Sequence, residues 1–167
     1  PGPRLDAPLT YRVARQGDTL TFTAGSEKRS APEIRELWFP LIGGLGPLGH
    51  DPEASFLLYP ESGGRRIQNP AKNLADRNAQ PVRGTRFNFL RDLYPGRASM
   101  QWMGLYGAAG SLYVGSHDAT RQTTALNALL NVGHTEAEDS VSLGFIKYPF
   151  LRAGQAWASQ PFVVAVR

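Results

Sequence analysis

Met100-Gln-Trp-Met-Gly-Leu-Tyr-Gly-Ala-Ala-Gly-Ser-Leu-Tyr-Val-Gly-Ser-His-Asp118 is the stretch that decides how the rest of the chain is read. Two apolar, aromatic segments flank a turn of small residues, Gly107-Ala-Ala-Gly110, which is the pattern of a β-hairpin. The second segment ends in the polar pair His117-Asp118. Successive side chains of a strand point to opposite faces, so Trp102 and Tyr106 share one face while Gln101, Met103 and Leu105 share the other.

Strand signals recur on both sides of this hairpin. Residues 11–24 alternate through Tyr11, Val13, Leu20 and Phe22 around a Gly17-Asp18 turn. Residues 33–45 begin with alternation and end in glycines, and Pro40 assigns them to a sheet edge or a bend. Residues 55–59, 140–148 and 160–167 read as further strands. The composition of residues 122–132 also allows a helix, but Thr123-Thr124 and the neighbouring strands favour β. Residues 60–97 have little period and many Pro, Gly, Asn and Arg residues, which predicts a long irregular loop with a few short strands or a helical turn near 71–77. With 18 Gly and 13 Pro, turns are favoured over long helices. The expected fold is therefore an all-β sandwich, one domain over residues 1–167, long enough to bury a real core.

Composition removes several function classes. There is no Cys, so disulfides, thiolate metal sites and Cys nucleophiles are excluded. The net charge of +4 comes from 15 Arg and three Lys against 14 acids, but the arginines are scattered, with Arg65-Arg66 their one adjacent pair. Nucleic-acid binding needs a basic stripe or patch, so no nucleic-acid partner is expected. No apolar run approaches the ~20 residues of a membrane-spanning helix, and no membrane partner is expected. The opening Pro1-Gly-Pro3 is not a signal peptide and reads as a processed, trimmed or excised end. Localisation is left open, with a secreted or periplasmic location among the choices.

Further landmarks follow in order: Trp-Phe-Pro at 38–40, Asp-Leu-Tyr-Pro at 92–95, the 100–118 hairpin, Lys-Tyr-Pro at 147–149, an Ala-Gly-Gln turn, and Gln-Pro-Phe-Val-Val at 160–164. In this order the chain, from about residue 33 onward, resembles the β-sandwich region of bacterial glycoside hydrolases in which a galactose-mutarotase-like supersandwich precedes a (β/α)8 barrel. The group is likened to α-glycosidases and endo-α-N-acetylgalactosaminidases. The resemblance implies a supersandwich-like domain of a larger, multidomain carbohydrate-active protein, with carbohydrate and a (β/α)8 catalytic domain as partners. In such proteins the paired carboxylates that glycoside hydrolysis requires come from the barrel. No catalytic residue is therefore expected in this chain, and no cofactor.

His117-Asp118 is the leading candidate for sugar contact, because imidazole and carboxylate can donate to and accept from hydroxyls. The same residues also fit a structural role, with Asp118 capping the following turn and His117 satisfying a loop carbonyl. Trp102 and Tyr106 join them as candidate stacking faces for the apolar C–H side of a sugar ring. Aromatic residues in mid-sheet are usually buried, so the two also read as core; Trp38 and Trp157 read as core or edge packing. Metal binding has weak material: His50-Asp51 and His117-Asp118 could supply N and O ligands but show no metal-type spacing, and no metal is expected. A structural Ca²⁺ in the 60–97 loop stays an open alternative. Gly43-Gly44-Leu45-Gly46 opens no clear helix and fits a turn better than a phosphate loop. Two other functions remain: an autonomous lectin-like module, and a mutarotase-like epimerase drawing its acid and base from His50, His117, His134 and Glu136.

Overall fold

The computed structural model describes residues 9–26, 34–74, 89–131, 139–152 and 155–167. Strands are numbered in chain order. The larger sheet has eight strands, in the order β1 (Leu9–Gln16), β2 (Thr19–Ser26), β12 (Phe162–Val166), β8 (Gly110–Ser116), β7 (Trp102–Gly107), β4 (Phe56–Tyr59) and β5 (Arg65–Gln68). The eighth is the short β11 (Trp157–Ala158), which also pairs with β2. A second sheet runs β3 (Leu37–Leu45), β10 (Ser140–Lys147), β9 (Thr124–Asn131) and β6 (Phe89–Tyr94). The pairings are antiparallel throughout. The fold is thus an all-β sandwich, as the turn-punctuated alternation predicts.

Alternation builds the core. Leu57, Met103, Leu105, Val114 and Phe162 face inward from the larger sheet, and Leu126, Ala128, Val141, Leu143 and Phe145 from the smaller one. The rings of Phe145 and Phe162 meet across the gap at 5.1 Å. Tyr59 crosses it as well, its hydroxyl donating to the Leu126 carbonyl at 2.9 Å. Burying one such large apolar side chain is worth about 1.5–3 kcal/mol, which explains why residues 124–131 form a strand although their composition allows a helix. Only as a strand do they pair with β10 on one side and β6 on the other. Pro40 falls in β3, an edge strand, and the pairing with β10 slips between Gly144 and Ile146, next to the position where proline offers no N–H.

The stretch at 60–97 is more regular than its composition predicts. It holds β5, the short helix α1 (Pro70–Asn73) and β6; residues 75–88 lie outside the described part. The helical turn expected near 71–77 begins one residue earlier, at Pro70. The β4–β5 turn is fastened to the segment after β6: Ser62 N–H donates to the Arg97 carbonyl (2.8 Å) and Ser99 N–H to the Pro60 carbonyl (2.8 Å). Beside this seam Glu61 binds both Arg65 (3.3 Å) and Arg97, and Arg97 reaches Asp92 at 3.5 Å.

Asp92 points inward from β6 and is buried. Burial raises its pKa above the ordinary value; the neighbouring Glu61 adds to the rise and Arg97 opposes it. The folded state therefore holds the Asp92 proton more tightly than the unfolded chain does. That contribution is complete below the unfolded pKa and is lost as pH rises through the folded one. Asp92→Asn, which mimics the protonated form, is expected to match wild type in acid and to exceed its stability increasingly toward neutral pH. Urea denaturation across this pH range checks it, and a variant less stable than wild type at neutrality would show that the Arg97 contact outweighs burial.

The smaller sheet leaves an apolar outer face. Trp38, Leu41, Phe89 and Leu93 are exposed there. Arg91 lies among them, its guanidinium 4.8 Å from the Trp38 ring and 5.4 Å from the Phe89 ring, with Nε donating to Asn127 Oδ1 at 2.7 Å.

Candidate functional site

The outer face of the larger sheet carries the aromatic side chains. On β7, Met103 and Leu105 are fully buried in the core, so Trp102, Gly104 and Tyr106 point outward. Register sets their neighbours. Phe56 lies opposite Tyr106, Leu58 and Tyr113 flank Gly104 from either side, and Gly115 lies opposite Trp102. The two glycines make room for rings. A Cβ on Gly104 would come within 2.7 Å of Tyr106 Cε2, and one on Gly115 within 2.6 Å of Tyr113 Cζ. Each phenol ring therefore lies along its own strand, over the glycine two residues away.

Two stacked pairs result. Phe56 and Tyr106 have centroids 5.1 Å apart at 10°, and Trp102 and Tyr113 5.9 Å apart at 28°. The Arg66 guanidinium sits 4.0 Å over the Phe56 ring at one end of the row. At the other end His117 Nε2 shares a hydrogen bond of 3.1 Å with the Tyr113 hydroxyl, its direction following the imidazole tautomer. Burial raises the Tyr113 pKa, so this hydroxyl keeps its proton at neutral pH.

Beside Trp102 the face opens into a cleft of about 310 Å³, walled by Leu58, Pro60, Arg65, Arg66, Met100 and Trp102. This is at the lower end of the range for small-molecule sites, about 300–1,000 Å³. The Trp102 indole N–H donates to Met100 Sδ at 3.2 Å, which fixes the ring at the cleft wall. Gly63 and Gly64 also line the cleft, and a Cβ on either would meet nothing within 4 Å.

Asp118 is not on this face. Its side chain is fully buried, with Oδ2 accepting from Lys147 Nζ at 2.6 Å and Oδ1 accepting from Thr120 N (2.8 Å) and Thr120 Oγ1 (2.5 Å). Lys147, also buried, donates to Thr124 Oγ1 at 2.5 Å. Gln101 Nε2 donates to the Asp118 carbonyl at 2.9 Å. Burial alone would raise the Asp118 pKa, but the hydrogen bonds from Lys147 and Thr120 and the Lys147 charge outweigh it and hold the carboxyl below its ordinary value. On Lys147 burial acts downward, against the two contributions of Asp118. The bonds to Thr120 are the turn cap that the sequence allows as the alternative role of Asp118. His117, by contrast, is exposed and bonds Tyr113 through its side chain. Neighbouring residues at a strand end face opposite ways, and here one reaches the aromatic face while the other enters the core.

Three of the four candidate sugar-contacting residues, Trp102, Tyr106 and His117, thus lie on one surface. Phe56, Tyr113 and Arg66 complete it without having stood out in the sequence. The same alternation that pairs Trp102 with Tyr106 would have placed Tyr113 across from Gly104, given the turn at 107–110. Among the described residues no group of three or more His, Asp or Glu is placed to hold a metal, and no helix is long and apolar enough to cross a membrane. Gly43 and Gly44 belong to β3, and the next helical element is a single 3₁₀ turn, Pro52–Ala54. His134 and Glu136 lie outside the described residues. Compared with known proteins, the chain matches no family model and no curated sequence.

Proposed function

We propose that this is the non-catalytic, supersandwich-like β-domain of a carbohydrate-active protein, a glycoside hydrolase, and that it holds sugar on the outer face of its larger sheet. The observation that carries this reading is the aromatic row ending in a cleft walled by Trp102. Flat rings on a rigid sheet can cover the apolar C–H face of a sugar, and Arg66 and His117 offer hydrogen bonds at the two ends. The contribution to the sugar site comes from the sheet face and from His117 rather than from a His117-Asp118 loop. A (β/α)8 catalytic domain of the same protein is the proposed partner. The exposed apolar face around Trp38 and Phe89, opposite the sugar face, is the surface suited to carry it.

The aromatic rings Phe56, Trp102, Tyr106 and Tyr113 all lie on described strands, which favours a second reading beside the first: a lectin-like module that binds without a companion domain. An epimerase is less well supported, because among the described residues no carboxylate lines the cleft. Oligosaccharide titrations of the chain, followed by Trp fluorescence, test the proposal. Trp102→Ala is expected to weaken binding by about tenfold or more, or roughly 1.4 kcal/mol, while Trp38→Ala on the opposite face leaves it unchanged. Equal loss in both variants, or no binding by the wild-type chain, would overturn the proposal.

A further inference from the structure

We infer that the cleft beside Trp102 selects sugars carrying an anionic group, a uronate carboxylate or a sulfate ester; this rests on the carbohydrate reading above. The adjacent pair Arg65-Arg66 stands at the cleft wall, and among the described residues no acidic side chain lines it. Glu61, the carboxylate next to the cleft, is already engaged by Arg65 and Arg97, and neither of these ion pairs is with Arg66. Among the described residues the side-chain contacts of Arg66 are neutral: Nη2 donates to Gln68 Oε1 at 3.1 Å, and the guanidinium lies 4.0 Å over the Phe56 ring. Among the described residues this leaves the Arg66 cation with no carboxylate partner, beside an apolar wall.

A guanidinium held this way suits an oxyanion. Its planar fork can give two parallel N–H bonds to a carboxylate or sulfate. Stacking on Phe56 fixes its position before ligand arrives, so little side-chain entropy is lost on binding. Trp102, which lines the same cleft, would take the sugar ring while Arg66 takes its charged substituent. Gly63 also lines the cleft, its backbone requires no left-handed conformation, and a Cβ there would meet nothing within 4 Å.

The test is a fluorescence titration of the whole chain with three probes of matched length: a neutral gluco-oligosaccharide, an oligogalacturonate and a sulfated oligosaccharide. The anionic probes are expected to bind about tenfold more tightly than the neutral one. The preference should weaken as salt rises from about 0.05 to 0.5 M. Whichever anionic probe binds more tightly identifies carboxylate or sulfate as the group held. Arg66→Gln should reduce the anionic probes to the level of the neutral one, whereas Arg91→Gln, on the opposite face, should change nothing. Gly63→Phe should abolish binding of all three by filling the cleft without entering the core. Equal affinity for the neutral and anionic probes, a preference that survives Arg66→Gln, or an equal loss in Arg91→Gln overturns this inference and leaves the carbohydrate function standing. If none of a wide set of neutral and charged glycans binds, both fall.

Discussion

Asp118→Ala is expected to lower the unfolding free energy by about 3–5 kcal/mol, the largest loss predicted for a single side chain of this domain. The mutation would leave the Lys147 ammonium 1% exposed beneath the sheets, with Thr124 as its remaining polar partner and the Phe162 ring 5.6 Å away. An ion pair at this depth adds little to stability, because taking both charges out of water offsets most of their attraction; breaking it is what costs. The converse follows. Replacing both partners with apolar residues, Asp118→Leu with Lys147→Met, is expected to recover most of the loss, to within about 1 kcal/mol of wild type or above it. The carboxyl pKa is lower in the folded state than in the unfolded one, so the contribution of Asp118 is present above the unfolded value and lost as pH falls through the folded one. Urea denaturation of the two variants near neutral pH checks the account. A single mutant within about 1 kcal/mol of wild type would show that the pair does not hold the domain together.

Gly115→Ala is expected to separate stability from sugar binding. The added methyl would occupy the space of the Tyr113 ring, which lies at the outer surface and can swing away into solvent. The fold should therefore lose only about 1 kcal/mol. The displaced ring would break its stack on Trp102 and its hydrogen bond to His117. Binding to the face should fall by about tenfold or more, close to the effect of Trp102→Ala, and the two losses should not add because they disable one assembly. Thermal denaturation beside fluorescence titration gives both quantities. A variant that binds normally would mean that Tyr113 takes no part in the platform.

Much of the scaffold is legible along the chain, because local pattern and packing agree. The hairpin at 100–118 becomes β7 and β8, and Gly17-Asp18 turns β1 into β2. β5 and β6 are harder to read. β5 reads Arg-Arg-Ile-Gln, with one apolar residue, and β6 points Asp92 inward where the pattern calls for an apolar side chain. Lys147 likewise breaks the rule that inward positions are apolar, and its partner is 29 residues away. The Lys147 charge is buried because Asp118 neutralises it across the fold, and no local window contains both. The site divides along the same line. Trp102 and Tyr106 are recognisable from one strand, but Phe56 and Arg66 join them only through the register of β4 against β7 and of β5 against β4.

The opposed directions of His117 and Asp118 bear on how this chain can change over generations. A residue gained or lost within β8 would turn every following side chain through half a turn, sending the imidazole inward and the carboxylate out. Lys147 would lose its counter-charge in the same event that removes His117 from Tyr113. Substitutions can test the surface and the interior one at a time, but length changes in β8 strike both together. Lineages of this domain should therefore vary in length at the turns and hold β8 to a fixed count.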